Sequence, residues 1–176
     1  TRAIGALRAN DDDELCYAVE KSFELKSGRV SLVQEFLPGT EWRFICLDGQ
    51  VEIAYQKLPL ILSGDGLTPL IHILKQSQAD ILAETGRTFD LAAGRIWDSF
   101  HRRGWNEKTC PAGYFRVGDG LSLELGSGLN VIEDISTKAR TFALACMSSL
   151  GLRYGSVDAI EIADDEFIVI EANSAP

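Results

Sequence analysis

The sequence predicts an α+β domain, with a largely antiparallel sheet and helices packed on one side. Three observations carry this reading. The β-rich runs 41–47 and 50–57 flank Asp48-Gly49, a strong signal for a type I′ hairpin turn. A second pair, 157–162 and 167–173, flanks a short acidic turn. Between these pairs lie stretches with helical apolar spacing and recognisable caps.

Taken in order, residues 3–9 alternate loosely and read as a strand. Asn10-Asp11-Asp12-Asp13-Glu14 caps and opens a helix, because acids in a first turn suit the helix dipole. Leu15, Ala18, Val19, Ser22 and Phe23 share one helical face, and Gly28 ends the region. Residues 30–37 read as a strand, Pro38-Gly39-Thr40 as a turn, and 41–47 and 50–57 as the second and third strands of a meander. In the second, Trp42, Phe44 and Cys46 alternate with Glu41, Arg43 and Ile45. Thr68 is the expected N-cap of a helix with Pro69 at its first position, carrying Leu70, Ile71 and Leu74. Residues 76–90 are polar and weakly patterned. Residues 89–103 read as a short helix carrying Ile96, Trp97 and Phe100, and 104–116 as irregular. Gly-Asp-Gly occurs twice, at 64–66 and 118–120, the second joining short β-like runs at 114–117 and 121–125. Ser136 caps a helix running to Leu150, with Gly151 as its stop and Ala139, Phe142, Ala143, Cys146 and Leu150 as its apolar stripe.

The 176 residues make one domain or one large lobe, with 45% hydrophobic and 9% aromatic content, enough for a core. The net charge of −9, with no basic cluster, argues against a nucleic-acid surface. No apolar run approaches the ~20 residues of a membrane span, and no signal peptide opens the chain. The start, Thr1-Arg2-Ala3-Ile4-Gly5, reads as the middle of a domain. Cys16, Cys46, Cys110 and Cys146 lie far apart without a C-x-x-C pair, which implies reduced thiols and a cytoplasmic protein. His72, on an apolar helix stripe, and His101, beside Arg102-Arg103, read as structural.

The closing hairpin carries the chemistry. With Asp164-Asp165 as its loop, Ala163 faces Glu166 and Asp158 faces Glu171. Alternation then puts Asp158, Glu171 and Asn173 on one face. Opposed carboxylates repel unless something positive lies between them. An all-oxygen set suits Mg2+. An exposed hairpin with acids on its wet face fits the same letters.

Four segments in order resemble the C-terminal part of an ATP-grasp domain. The first is residues 33–44, where Glu35, Phe36 and Leu37 precede Pro38-Gly39 and Glu41. The second is Lys57-Leu58-Pro59 with Gly64-Asp65-Gly66-Leu67-Thr68-Pro69-Leu70, which resembles the branch of cyanophycin synthetase and bifunctional glutathione synthetases. The third runs from Leu125-Gly126-Ser127-Gly128 to Asp134. The fourth joins residues 151–158 to Ile170-Glu171-Ala172-Asn173-Ser174-Ala175-Pro176 and matches the family's magnesium signature. The resemblance covers nearly the whole chain.

The resemblance implies ATP between two lobes, with backbone of Glu35, Phe36 and Leu37 at the adenine and Glu41 on the ribose. It implies Mg2+ on Asp158, Glu171 and Asn173, and Lys57 or Arg43 against phosphates or an acyl-phosphate. If Asp48-Gly49 is a two-residue loop, Glu41 and Lys57 point to opposite faces unless the strands twist or bulge. The implied chemistry is ATP-dependent joining of a carboxylate to an amine, on small-molecule or peptide substrates, possible as a homodimer. The family's glycine-rich loop and N-terminal substrate domain have no counterpart in residues 1–176. The chain therefore reads as a partial ATP-grasp domain of a ligase, or alternatively as a non-catalytic nucleotide and Mg2+ binding module within a larger assembly.

Overall fold

The computed structural model describes residues 9–24, 32–92, 94–118 and 126–175. The chain divides into two compact units, one of Leu37–Leu58 with Gly128–Pro176 and one of Thr1–Phe36 with Pro59–Ser127.

The first unit holds a five-stranded sheet and one helix. Its strands are β1 (Thr40–Leu47), β2 (Gln50–Leu58), β5 (Gly128–Val131), β6 (Tyr154–Ala163) and β7 (Glu166–Asn173). Their order is β5-β2-β1-β6-β7, every neighbour antiparallel. Helix α4 (Thr137–Ser149) covers one face. The core is Trp42, Phe44 and Cys46 from β1, Ala54 from β2, Val157 and Ala159 from β6, and Ala139, Ala143 and Met147 from α4. Rings of Trp42, Phe44, Phe142 and Phe167 stack or meet edge-on, with centroids 5.2 to 6.3 Å apart. Ser136 caps α4 by accepting from the Ala139 amide at 3.0 Å, and its hydroxyl also reaches Asp165 in the β6–β7 turn. The expected stripe of α4 holds except at Leu150, which is exposed. Met147 lies three residues earlier, where the helix turns inward.

Asp48-Gly49 is the expected turn, with φ of 48° and 80°. In the acidic turn only Asp165 takes a left-handed φ, 57°. Three bulges adjust the strands. Cys46 pairs with Val51 but Ile45 with Ile53, so Glu52 is an extra residue and Glu41 comes opposite Lys57. Asp158 pairs with Glu171 but Ala159 with Val169, which makes Ile170 extra; Ile162 is extra further along. The last two bulges cancel, so the loop assumption and the Asp158–Glu171 pairing both hold. Phe167 and Glu171 are four residues apart, and an unbroken strand would put them on one face. The bulge lets Phe167 join the core while Glu171 faces away from α4.

The other unit holds α1 (Asp12–Glu24), β3 (Ile61–Asp65), α2 (Leu70–Thr85), α3 (Gly94–Arg102) and β4 (Ala112–Arg116). Asp11 accepts the Glu14 amide at 2.8 Å and Glu14 reaches back to the Asn10 amide at 2.8 Å, so the acidic run is a helix cap. Strands β3 and β4 pair antiparallel, and Leu70, Leu74, Phe89, Ile96, Phe100, Phe115 and Val117 form the core. Asp65 accepts from the Leu67 and Thr68 amides and the Thr68 hydroxyl. Those bonds, that of the Thr68 amide first, lower its pKa to about 2. A Cβ on Gly64 would lie 2.1 Å from the Pro111 carbonyl oxygen, so only glycine fits there.

Several expectations are corrected. Residues 32–37 form no strand; β6 pairs with β1 where the meander would have put them. Helix α2 starts one residue late, with Pro69 as N-cap and no side-chain cap: the Leu70 and Ile71 amides donate to the Thr109 and Glu107 carbonyls, while Asp65 holds the Leu67 and Thr68 amides ahead of the helix. It also runs on to Thr85 through the polar stretch, α3 begins only at Gly94, and β4 pairs with β3 in the stretch expected to be irregular. His72 is exposed, off the buried line of Leu70 and Leu74. His101 is also exposed, and its ring lies 6.3 Å from that of Trp97. Residues 3–8 of the expected strand at 3–9, Gly28, residues 30–31, and Asp119-Gly120 of the second Gly-Asp-Gly with the run 121–125 lie outside the described residues.

Candidate functional site

The sheet face turned away from α4 carries side chains in cross-strand rungs. One rung reads Leu129, Lys57, Glu41, Ile160, Ile168 from β5 to β7. The next reads Val131, Tyr55, Arg43, Asp158, Glu171. The third places Ile45, Ser156 and Asn173 in line. Six of the nine expected site residues therefore share one face.

Asp158 is the hub. It is 2% exposed. Arg43 grips it with two parallel bonds, Nε to Oδ1 at 2.8 Å and Nη2 to Oδ2 at 2.7 Å, the bidentate fork that suits guanidinium and carboxylate. Lys57 Nζ donates to Oδ1 at 3.0 Å and also to Glu41 Oε1. On the open side, Asn173 Nδ2 donates to Glu171 Oε1 at 3.1 Å.

The charges stabilise one another against the cost of burial. Burial pushes the Asp158 carboxyl up, but the Arg43 bonds, then the charge and bond of Lys57, outweigh it and hold the group below its ordinary pKa. The bond to Asp158 raises the Arg43 pKa further. Burial lowers that of Lys57, yet Glu41 and then Asp158 more than offset it, so its pKa is raised.

Whether this face suits Mg2+ is decided by its donors. Asp158 and Glu171 stand directly opposed, with the Asn173 amide beside them, all oxygen ligands. A carboxylate offers about four lone-pair directions. Three hydrogen bonds reach Asp158, so one direction is left, while Glu171 is exposed. The set fits a hard divalent cation. Among the described residues no three His, Cys, Asp or Glu side chains form a metal-holding group, and two carboxylates with an amide fall outside that count.

Glu35, Phe36 and Leu37 lie ahead of β1, outside helix and strand, and enter none of the contacts above. Two contacts of this face were missed in the sequence: the Arg43–Asp158 fork, which needs the pairing of β1 with β6, and Tyr55 beside Arg43, which needs the bulge at Glu52.

No protein-family model matches the chain. Among curated proteins, the glutathione biosynthesis bifunctional protein GshAB of Streptococcus mutans is 28% identical over 144 residues, spanning 82% of this chain and 16% of that one. The Enterococcus faecalis counterpart is 25% identical over 168 residues, spanning 86% and 22%. The crystal structure of a bifunctional glutathione synthetase from Pasteurella multocida superposes with a TM-score of 0.54 at 17% identity, over 96% of this chain and 25% of that one. A D-alanine–D-alanine ligase from Bacillus anthracis gives a TM-score of 0.54 at 17% identity, over 100% and 41%. The chain has the ATP-grasp fold. The chain spans less than a quarter of the length of these curated relatives. Among the described residues no helix is long and apolar enough to cross a membrane.

Proposed function

We propose that this chain is the C-terminal part of the ATP-grasp module of a cytoplasmic ATP-dependent ligase joining a carboxylate to an amine. The carrying observation is the opposed Asp158–Glu171 pair, with Asn173 beside it, on the sheet face that also fixes Arg43 and Lys57. Its relatives' names, glutathione biosynthesis protein and D-alanine–D-alanine ligase, support amide formation.

In the proposed reaction a substrate carboxylate oxygen attacks the γ-phosphorus of ATP, and the bond to the β–γ bridging oxygen breaks. ADP leaves and an acyl-phosphate remains. The amine nitrogen then attacks the acyl carbon, loses a proton, and phosphate departs. Such transfer needs positioning and charge more than a protein nucleophile. Asp158, Glu171 and Asn173 would hold Mg2+, which would supply neutralisation of phosphate charge. Asp158 orients Arg43, and with Glu41 it orients Lys57, so two positive charges stand ready for a phosphate or acyl-phosphate. Glu41 is the proposed ribose contact, and backbone at Glu35, Phe36 and Leu37 the proposed adenine contact.

The test is a thermal-shift titration with ATP and Mg2+, wild type against Glu171→Ala. Ligand at about 100 times its Kd stabilises by about 2.7 kcal/mol. For this size that raises Tm by about 5–10 °C. A magnesium-dependent rise that is lost in Glu171→Ala supports the reading; no rise in the wild type overturns it for this chain.

A further inference from the structure

Ser156 is fully enclosed, yet its hydroxyl has no hydrogen-bond partner among the described residues. A buried polar group left unpaired is costly and needs an explanation. Its position supplies one. Ser156 precedes Asp158 by two residues on β6, so both side chains lie on the face away from α4. Its cross-strand partner on β7 is Asn173, and on β1 it faces Ile45. The orphaned hydroxyl thus sits in the rung next to the Asp158–Glu171 pair, flanked on one side by an aliphatic chain and on the other by the amide of the oxygen set. No structural need is visible for an oxygen there, since the β1 neighbour is apolar and alanine would fill the site at nearly the same volume.

We propose that Ser156 is a positioning residue of the cation site, its hydroxyl completing its hydrogen bonding only when the ion and its water shell are in place. Mg2+ keeps several waters when it binds through one or two carboxylates. Those waters need oriented partners, and groups behind the ligands commonly tune affinity by about 10–100-fold. Ser156 offers both a donor and an acceptor in the rung next to that of Asp158 and Glu171. This inference rests on the Mg2+ reading above.

The experiment compares wild type, Ser156→Ala, Ser156→Thr and Glu171→Ala by Tm without ligand, with ATP plus EDTA, and across a Mg2+ titration at fixed ATP. Ser156→Ala is expected to keep or raise the ligand-free Tm, because an unpaired hydroxyl is gone. Its apparent Mg2+ affinity is expected to fall about 10-fold, with the ATP–EDTA response unchanged. Ser156→Thr, which restores the hydroxyl on a strand position suited to a β-branched residue, is expected to recover most of that loss. Wild-type affinity in Ser156→Ala overturns the proposal while leaving the parent reading intact if Glu171→Ala still abolishes the Mg2+ response. A lower ligand-free Tm in Ser156→Ala overturns it too, since the hydroxyl would then be paired in the unliganded fold. Equal loss in the alanine and threonine variants assigns the effect to packing and also overturns it. No Mg2+ response in wild type removes the parent reading and this one together.

Discussion

Replacing Asp158 by Asn keeps the shape and removes the charge at the hub of the sheet face. An exposed ion pair contributes about 0–1 kcal/mol. Stranding the partners of a buried one costs about 3–5 kcal/mol. Here the Asp158 side chain is 3% exposed, against 22% for Arg43 and 17% for Lys57. Water therefore screens the cations in part, and the lower end of the buried range applies, about 3 kcal/mol. The asparagine also presents an NH2 where one cation now donates, which works in the same direction. Urea unfolding is the assay. The midpoint is expected to fall with m unchanged, and Tm to drop by about 6–12 °C. A loss under about 1 kcal/mol would refute the reasoning, because it would mean that Arg43 and Lys57 relax into solvent at little cost. An Arg43→Met cycle is expected to show coupling with Asp158 of at least about 1 kcal/mol.

The Arg153–Asp48 pair, with side chains 85% and 55% exposed, is the contrast, and Arg153→Ala is expected to change urea stability by less than about 0.5 kcal/mol. Gly64→Ala is expected to cost about 2–3 kcal/mol in the same assay, because its Cβ would lie 2.1 Å from a backbone oxygen. Gly49→Ala meets nothing within 4 Å and is expected to cost about 1–2 kcal/mol from its φ of 80° alone. Asp158 is depressed, so its contribution is full above the ordinary carboxylate value of about 4 and is lost as pH falls through its folded pKa. Lys57 is raised, so its contribution is full below about 10.4 and is lost as pH rises through its folded value. Urea stability against pH is expected to show a plateau between, and Asp158→Asn to flatten the acid limb. Deleting Ile170 is expected to move Glu171 and Asn173 to the opposite face or to pull Phe167 from the core, and to abolish the Mg2+-dependent thermal shift while lowering Tm.

What the sequence disclosed was local, and what it withheld was long-range. Asp48-Gly49 and the Asp164-Asp165 turn were legible because turn chemistry acts over four residues. The alternation of Trp42, Phe44 and Cys46 with Glu41 and Arg43 was legible because a strand has period two. The placement of residues 32–37 as a partner strand failed because neighbourhood along the chain was taken for neighbourhood in the sheet, whereas β6, over a hundred residues later, holds that place. That error hid the Arg43–Asp158 fork, since two residues 115 apart meet only through the β1–β6 ladder. Bulges are the deeper limit. Parity alone sets Glu41 and Lys57 on opposite faces, and Phe167 with Glu171 on the same one. Both statements are reversed by one inserted residue each, Glu52 and Ile170. In each strand the demand comes from two ends at once: an aromatic or hairpin register at one end, a charged pair at the other. A single extra residue reconciles them at the cost of one unpaired ladder position. The Asp158–Glu171 register was legible only because the Ile162 and Ile170 bulges cancel, so counting from the turn reached the right pair through a path the chain does not follow.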